Sequence, residues 1–447
     1  MATESPVPIA TGSFSTTIVD EAKRWWGTYL DNIRKNPGPF SDPDVAGTEE
    51  AFEQFDKIKV LVMFVIDSPR CEILKNLAMS KFKDIHVIDM DTIDISNLNR
   101  QFLFRKSDVG KFKAEVAAQF VMRRVKGVNI TAHNCAIQDF DHDFYKQFQF
   151  VICGLDSIEA RRWINATLVQ IAEEGEDPDS LIPMIDGGTE GFKGQARVIV
   201  PSITSCIECQ LDMHAPRAAV PLCTIASIPR QPEHCIEWAH VIAWEKEKPF
   251  PKLDKDDSTH VSWLYQKALA RAQEFNIAGV TYALTQGVIK NIIPAIASTN
   301  AIIAAACCNE AFKLASSAAP TLGMEENYMM YSGNDGIYTY TFKHEKKDDC
   351  PVCGQQSRPL EVDPQSTLRD LLDSFAVRPE AQLKKPSIRA DNKTLYMQSP
   401  LSLEEQTRPN LEKTILELEL EDGQNVLVTD PAFPLLQFNF YLRFKTT

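Results

Sequence analysis

Two cysteine pairs, Cys206-Ile-Glu-Cys209 and Cys350-Pro-Val-Cys353, have the spacing of metal ligands. Each Cys-x-x-Cys lets two sulfurs reach one ion, and two pairs close a tetrahedral zinc site with no open position, which makes the chemistry structural rather than catalytic. About 140 residues separate the pairs, far more than in a zinc finger, so a shared ion ties together two distant parts of one domain. A redox pair normally opens a helix after a strand, whereas both pairs here sit in loop-like sequence. Four buried free thiols are the plain alternative.

A second group begins with Asp89-Met-Asp91 and continues through Asn97-Leu-Asn-Arg100-Gln101 to Lys113. Asp89 closes a short apolar run, the place where a doubly wound fold puts a carboxylate on ribose hydroxyls. Arg100 offers a forked guanidinium and Lys113 a point charge, both suited to phosphates. Asp156, following Val151-Ile-Cys-Gly, is suited to hold magnesium at the same sheet edge. The alternative for the set is a solvated loop with surface ion pairs. Two thiols are candidate nucleophiles. Cys223, in Pro221-Leu-Cys-Thr, stands at a loop-to-helix junction, where a helix N-terminus stabilises thiolate. Cys235, beside His234, is equally placed on those grounds, and either could be a buried core cysteine.

These residues need a scaffold, and the hydrophobic pattern supplies one. Strand-length apolar runs at 59–66, 85–89, 128–132, 150–153 and 182–186 alternate with helix-length runs at 70–80, 113–124 and 157–173. Continuous apolar strands separated by helices predict a doubly wound α/β domain with a mostly parallel sheet. The organisation expected is a polar segment over 1–48 with a helix at 19–33, then the first part of the α/β domain over 49–209. An inserted, proline-rich and charged unit follows over 210–290, with a helix at 263–275. The α/β domain resumes over 291–357, with a helix at 301–314 and strands at 327–332 and 337–344. A small α+β unit closes the chain over 358–447. Its expected order is helix 367–375, strands 387–391 and 394–398, helix 411–418, strand 425–429 and a last strand. That strand alternates, with Leu436, Phe438, Phe440, Leu442 and Phe444 on one face.

Composition bounds the partners. The 447 residues carry a net charge of −14 without a basic stripe, so the field required for nucleic acid or an anionic membrane is missing. Eleven cysteines are too dilute for a disulfide scaffold. With no basic n-region or apolar h-region at the start, and with Ser298, Thr299 and Asn300 interrupting the most apolar stretch, an intracellular protein without a membrane span is expected. Glycine is scarce: 19 in all, with none between Gly47 and Gly110.

Taken together, Asp89-x-Asp91, Asn97-Leu-Asn-Arg100-Gln101, Lys113-Ala-Glu, Cys153-Gly-Leu-Asp156-Ser, Asp186-Gly-Gly-Thr-Glu-Gly, Arg161-Arg162-Trp-Ile-Asn, both Cys-x-x-Cys pairs and Pro-Leu-Cys223-Thr resemble the activating enzymes of ubiquitin-like proteins. The resemblance runs across nearly the whole chain. It implies a ThiF/MoeB-like adenylation domain, a helical catalytic-cysteine insert and a C-terminal ubiquitin-like β-grasp domain that recruits a conjugating enzyme. By the same resemblance Asp89 and Asp91 serve the nucleotide, with Asp89 on ribose; Asn97, Arg100, Gln101 and Lys113 hold the phosphates of ATP, and Asp156 holds Mg2+. Cys223 becomes the thioester nucleophile, and the four paired cysteines hold a structural Zn2+. Arg197 would help choose the modifier by repelling a like charge on a wrong tail; its alternative is a salt-bridging strand residue. The partners implied are a related non-catalytic subunit in a heterodimer, a ubiquitin-like modifier and a conjugating enzyme. The location implied is cytoplasmic, with the nucleus as an additional compartment.

One block departs from the family. Relatives follow the first strand with Gly-x-Gly-Gly-x-Gly-Cys-Glu, whereas this chain reads Met63-Phe-Val-Ile-Asp-Ser-Pro-Arg70 before Cys71-Glu72. Left-handed backbone without glycine costs about 1–2 kcal/mol per residue, Asp67 repels polyphosphate, and Pro69 removes an N–H donor. Asp67-Ser68-Pro69 can still start a helix. Either the chain is an active enzyme whose deduced sequence is in error here, or it has lost ATP binding and serves as a modifier-binding pseudoenzyme or scaffold subunit. A nicotinamide oxidoreductase lacks its glycine fingerprint, and a sulfur-carrier adenylyltransferase lacks the insert and the C-terminal unit.

Overall fold

The computed structural model describes residues 44–445 apart from 65–69, 94–97, 99–102, 156, 176–179, 215–226, 252, 256, 290–295, 324, 355, 391 and 392, together with 32, 33, 35, 36, 38, 39 and 41. Eight strands form one sheet: β1 (Lys59–Phe64), β2 (Asp84–Ile88), β3 (Asn129–His133), β4 (Phe150–Gly154), β5 (Met184–Glu190), β6 (Lys193–Ile199), β7 (Tyr328–Ser332) and β8 (Tyr338–Phe342), in the order β3-β2-β1-β4-β5-β6-β7-β8. The pairs among β1 to β5 are parallel, and those from β5 to β8 are antiparallel.

Strand periodicity splits the core into two layers. Val60, Val62, Ile85, Val87 and Ile152 face helices α1 (Glu49–Lys57), α2 (Arg70–Met79), α3 (Lys113–Arg124) and the later helix Ala297–Ser316. Leu61, Met63, Val151, Cys153 and Met184 face α4 (Ile158–Glu174) and the four paired cysteines. Strands β1 and β4 are thus covered on both faces, the reason their sequences read as unbroken apolar runs. The expected helices at 70–80, 113–124, 157–173 and 301–314 are all present, the last extended over 297–316. Most of the 19–33 helix lies outside the described residues.

Strand β6 escapes the apolar pattern because it is built from Lys193-Gly-Gln-Ala-Arg and holds a buried polar network. Gly194 in β6 and Gly187 in β5 serve packing. A Cβ on Gly194 would stand 2.5 Å from Ile303 Cγ1, and one on Gly187 2.7 Å from Cys307 Sγ, so bare backbone lets the helix Ala297–Ser316 lie on β5 and β6.

The insert is helical, with helices at Pro232–Glu237 and Ser258–Glu274 around its own cluster of Ile236, Ala239, Trp244, Leu264 and Ala268. The C-terminal unit has a second sheet of five strands, β9 (Arg358–Val362), β10 (Ser387–Ala390), β11 (Lys393–Tyr396), β12 (Asn425–Asp430) and β13 (Phe433–Phe444), ordered β11-β10-β12-β13-β9. The expected face of β13 is buried from Leu436 to Leu442 against the helix Leu368–Val377. The expected helix at 411–418 is absent. The helical segment lies earlier, at Leu401–Thr407 and on through the 3-10 turn Arg408–Glu412. Beyond it, Lys413 accepts from Leu368 N–H while Ile415 and Leu416 donate to Ser366 and Pro364, so tertiary partners take those backbone groups from a helix. No helix of the described residues is long and apolar enough to cross a membrane.

Candidate functional site

The parallel strands deliver their C-terminal ends to one edge, where Phe64 of β1 pairs with Gly154 of β4 and Met63 with Ile88 of β2. Strand order reverses between β1 and β4, and an α/β sheet opens a ligand crevice at such a point. Asp89, 1% exposed, begins just past β2. Its N–H donates to the carbonyl of His133 at the end of β3 (3.0 Å), and its Oδ1 accepts from the N–H of Asp91 (2.9 Å). Asp91 Oδ2 then meets Lys113 Nζ at 3.2 Å, and Lys113 N–H donates back to the Asp91 carbonyl.

A short zipper makes that meeting possible across 22 positions. Ile93 N–H donates to Lys111 O, and Gly110 N–H to Ile93 O, with Gly110 in the left-handed region at φ +86°. Lys113 is therefore a buried ammonium at the first residue of α3, adding to the positive end of the helix dipole. Asp89, Asp91 and Lys113 thus share one edge of the sheet. Asn97, Arg100, Gln101, Asp156 and Cys223 lie outside the described residues, and so do residues 65–69 of the glycine-free stretch. Helix α2 nonetheless starts at Arg70. Asp156 falls between the end of β4 and Ser157, whose Oγ caps α4 by accepting from Ala160 N–H.

Cys235 is fully buried in the insert's core, and burial pushes its thiol pKa up, so the structure gives it the role of a packing residue.

Arg197 is also fully buried. Its Nε and Nη2 reach Asp186 Oδ2 (3.0 and 2.9 Å), and its Nη1 donates to Gln210 Oε1 at 2.5 Å. Arg161 Nε donates to the other Asp186 oxygen at 2.9 Å. Burial works to raise the pKa of Asp186, but the two guanidiniums outweigh it and hold the carboxyl below its ordinary range. For Arg197 the geometry thus favours the salt-bridging alternative: its charge is neutralised inside this chain instead of facing a modifier tail. By sequence Asp186 enters only as part of a family motif, with no role of its own, and Gln210 does not stand out; their pairing with the two arginines appears only in the fold.

The four sulfurs of Cys206, Cys209, Cys350 and Cys353 lie within 4.8 Å of one another, all buried. Three separations are 3.9 Å (206–209), 3.6 Å (206–350) and 3.5 Å (209–353). Four ligands at about 2.3 Å from zinc define tetrahedron edges of about 3.8 Å, so the cage has the right size. Burial pushes the Cys206 thiol up, while hydrogen bonds from the other three cysteines hold Cys209 well below the ordinary thiol range. A divalent ion bound by four cysteines displaces their protons, since the ligand is the thiolate. The donor set is compatible with zinc.

Residues 71–352 match a family described as the ThiF family, and residues 361–442 match an E2 binding domain. The NEDD8-activating enzyme E1 catalytic subunit of Dictyostelium discoideum is 52% identical over 432 residues, covering 94% of this chain and 96% of that protein. The Drosophila melanogaster protein of the same name is 49% identical over 430 residues, covering 93% and 94%. A SUMO-activating enzyme subunit 2 from Dictyostelium discoideum is 44% identical over 192 residues, 42% of this chain and 27% of its own length.

Proposed function

This chain belongs to the ThiF family and, within it, to the NEDD8-activating enzyme E1 catalytic subunits, and from that premise we propose how its residues divide the work. It is an ATP-dependent activating enzyme. The C-terminal glycine carboxylate of the ubiquitin-like modifier of the neddylation pathway attacks the α-phosphate of ATP, giving acyl-adenylate and pyrophosphate. The thiolate of Cys223 attacks the acyl carbon and releases AMP, and the thiol of a conjugating enzyme then takes the acyl group. The observation that carries this reading is near-full-length identity to such subunits, with an adenylation match and an E2-binding match in one chain.

In this reading Asp89 and Asp91 serve the nucleotide, Asp89 on its ribose, and Asn97, Arg100, Gln101 and Lys113 bind its phosphates. Asp156 holds Mg2+, which offsets phosphate charge. The buried Asp89 and the Lys113–Asp91 pair support these roles, since a fixed carboxylate and a fixed ammonium are already in place at the crevice. Residues 49–209 and 291–357 make the adenylation domain, 210–290 the catalytic-cysteine insert and 358–447 the unit that recruits the conjugating enzyme. The second subunit is a related non-catalytic chain, and the setting is the cytoplasm and nucleus. Cys206, Cys209, Cys350 and Cys353 hold a structural Zn2+, so metal analysis of the purified chain is expected to return one zinc per chain.

The test combines this chain with its partner subunit, modifier and ATP. A DTT-sensitive adduct on Cys223, absent from Cys223→Ala, and ATP–pyrophosphate exchange are expected. The glycine-free stretch 63–70 favours a second reading, a modifier-binding chain without ATP chemistry. Absence of both signals, with modifier binding kept, would establish that reading instead.

A further inference from the structure

Adenylation chemistry and metal ligation both leave Glu208 without a task, although it carries a carboxyl group and is only 2% exposed. We propose that Glu208 is a positioning residue: acting through Arg162, it passes the order of the four-cysteine cage into α4, so that metal in the cage steadies the turn that carries Asp156. The proposal rests on the functional reading above, which gives Asp156 its Mg2+.

Helix α4 starts directly after that turn, with Ser157 as its cap, and three side chains of its first two turns reach buried polar partners. Arg161 Nε donates to Asp186 Oδ1 at 2.9 Å and its Nη2 to the carbonyl of Gly187 at 3.2 Å. Arg162 donates from Nε and Nη2 to the two oxygens of Glu208 at 2.6 and 3.2 Å, a fork that fixes direction as well as distance. Asn165 Oδ1 accepts from Ile207 N–H at 3.1 Å. Gln210 completes the circuit by accepting from Arg197, whose guanidinium returns to Asp186. One closed ring therefore runs from α4 to β5, β6 and the cysteine segment and back to α4, wholly inside the adenylation domain. Its side chains are at most 8% exposed.

The members that the cysteine segment lends to this network, Ile207, Glu208 and Gln210, stand between or beside the ligands Cys206 and Cys209. The cage gives that segment its shape. Cys206 meets Cys350 and Cys209 meets Cys353, each pair 144 positions apart. A thiol is a weak donor and a weak acceptor, so protonated sulfurs hold the segment loosely, whereas in a filled cage the free energy of ligation becomes folding free energy of the segment. Loosening here reaches further than in an ordinary loop. Glu208 and Arg162 are each left as a buried charge short of its partner, and α4 relaxes at its first turn, where a helix opens most easily. Two sites joined in this way are coupled, and the coupling is reciprocal: the factor by which metal in the cage raises MgATP affinity is the factor by which MgATP raises metal affinity.

The test uses the full chain with its partner subunit and compares the parental sequence with two variants. Glu208→Gln keeps the four cysteines and the side-chain shape, and Glu208→Asp keeps the charge. Zinc is titrated against a chromogenic chelator with and without MgATP, and deuterium uptake is followed over residues 157–165. In the parental complex MgATP is expected to tighten zinc about tenfold, inside the range of about 5–150-fold usual for linked sites. The gain is expected to shrink to within about twofold in Glu208→Gln, with Glu208→Asp between the two. Uptake over 157–165 is expected to rise in Glu208→Gln while zinc stays bound. Pyrophosphate exchange should show a raised KM for MgATP with kcat within about twofold of parental. An equal MgATP gain in the parental and Glu208→Gln chains, or unchanged uptake over 157–165, overturns the proposal. If Glu208→Gln does not fold, Arg162→Met/Glu208→Met, which leaves no unpaired charge, carries the same two measurements. If the parental complex binds no MgATP by calorimetry, the functional reading fails, while uptake over 157–165 in zinc-loaded against zinc-stripped protein still decides whether the cage orders α4.

Discussion

Asp186 is a carboxylate closed off from water at the adenylation core. It is fully buried, and each of its oxygens answers a separate guanidinium, Arg161 on one side and Arg197 on the other. Replacing the carboxylate by an amide keeps the shape but leaves two buried positive charges facing one neutral group. Breaking a buried pair in this way costs about 3–5 kcal/mol. Asp186→Asn is therefore expected to lower the urea midpoint strongly, and Arg161→Met/Asp186→Asn to recover part of the loss because one orphaned charge has gone. Equal midpoints for the two variants would show that Arg161 and Asp186 are not coupled. At this scale the sequence announces residues by chemistry and spacing. The four cysteines and Asp89 were legible for that reason, while the pairing of Arg162 with Glu208 was not, because 46 positions separate them and only the fold brings them together.

Elements add a pH response that no residue has alone. His86 of β2 and His133 of β3 face one another on adjacent strands, Nδ1 to Nε2 at 3.0 Å, among Phe140, Phe144 and Phe148. Burial lowers both pKa values from 6.5, against the pull of Asp84 on His86. The sign follows directly. Folded, the pair binds protons less readily than unfolded; as pH falls through 6.5 the unfolded chain takes up more protons than the folded one, so stability drops on the acid side and is regained on the basic side. Urea midpoints should fall between pH 7.5 and 5.5, and His86→Phe, whose ring suits that aromatic setting, should flatten the slope. An unchanged slope would place the titration elsewhere. Elements were read well where burial on both faces writes an unbroken apolar run, as in β1, β2 and β4. They were misread where partners override pattern. Strand β6 hides behind Gly194 and Arg197, and the run 411–418 has helical spacing but gives its backbone to residues 364–368.

The whole molecule separates activation from delivery. The adenylation sheet and the C-terminal sheet have separate cores, and the chain crosses between them after Cys353, once the second cysteine pair is complete. A chain ending at Ser357 therefore retains β1 to β8, Asp89, Lys113, Cys223 and all four paired cysteines. Its losses are confined to one surface: Arg162 loses the Ala381 and Gln382 carbonyls and the Phe433 ring but keeps Glu208, and the newly uncovered guanidinium gains water in their place. Pyrophosphate exchange and the Cys223 thioester should then persist within about threefold of the full chain, whereas passage to the conjugating enzyme should fall by about 10²–10⁴, the range by which tethering a second site raises effective concentration. Gel-based thioester transfer with limiting conjugating enzyme reads this directly. Transfer at the parental rate would mean that the conjugating enzyme is held by the adenylation half. Raising its concentration should recover transfer in the truncated chain, because what that chain lacks is a binding surface.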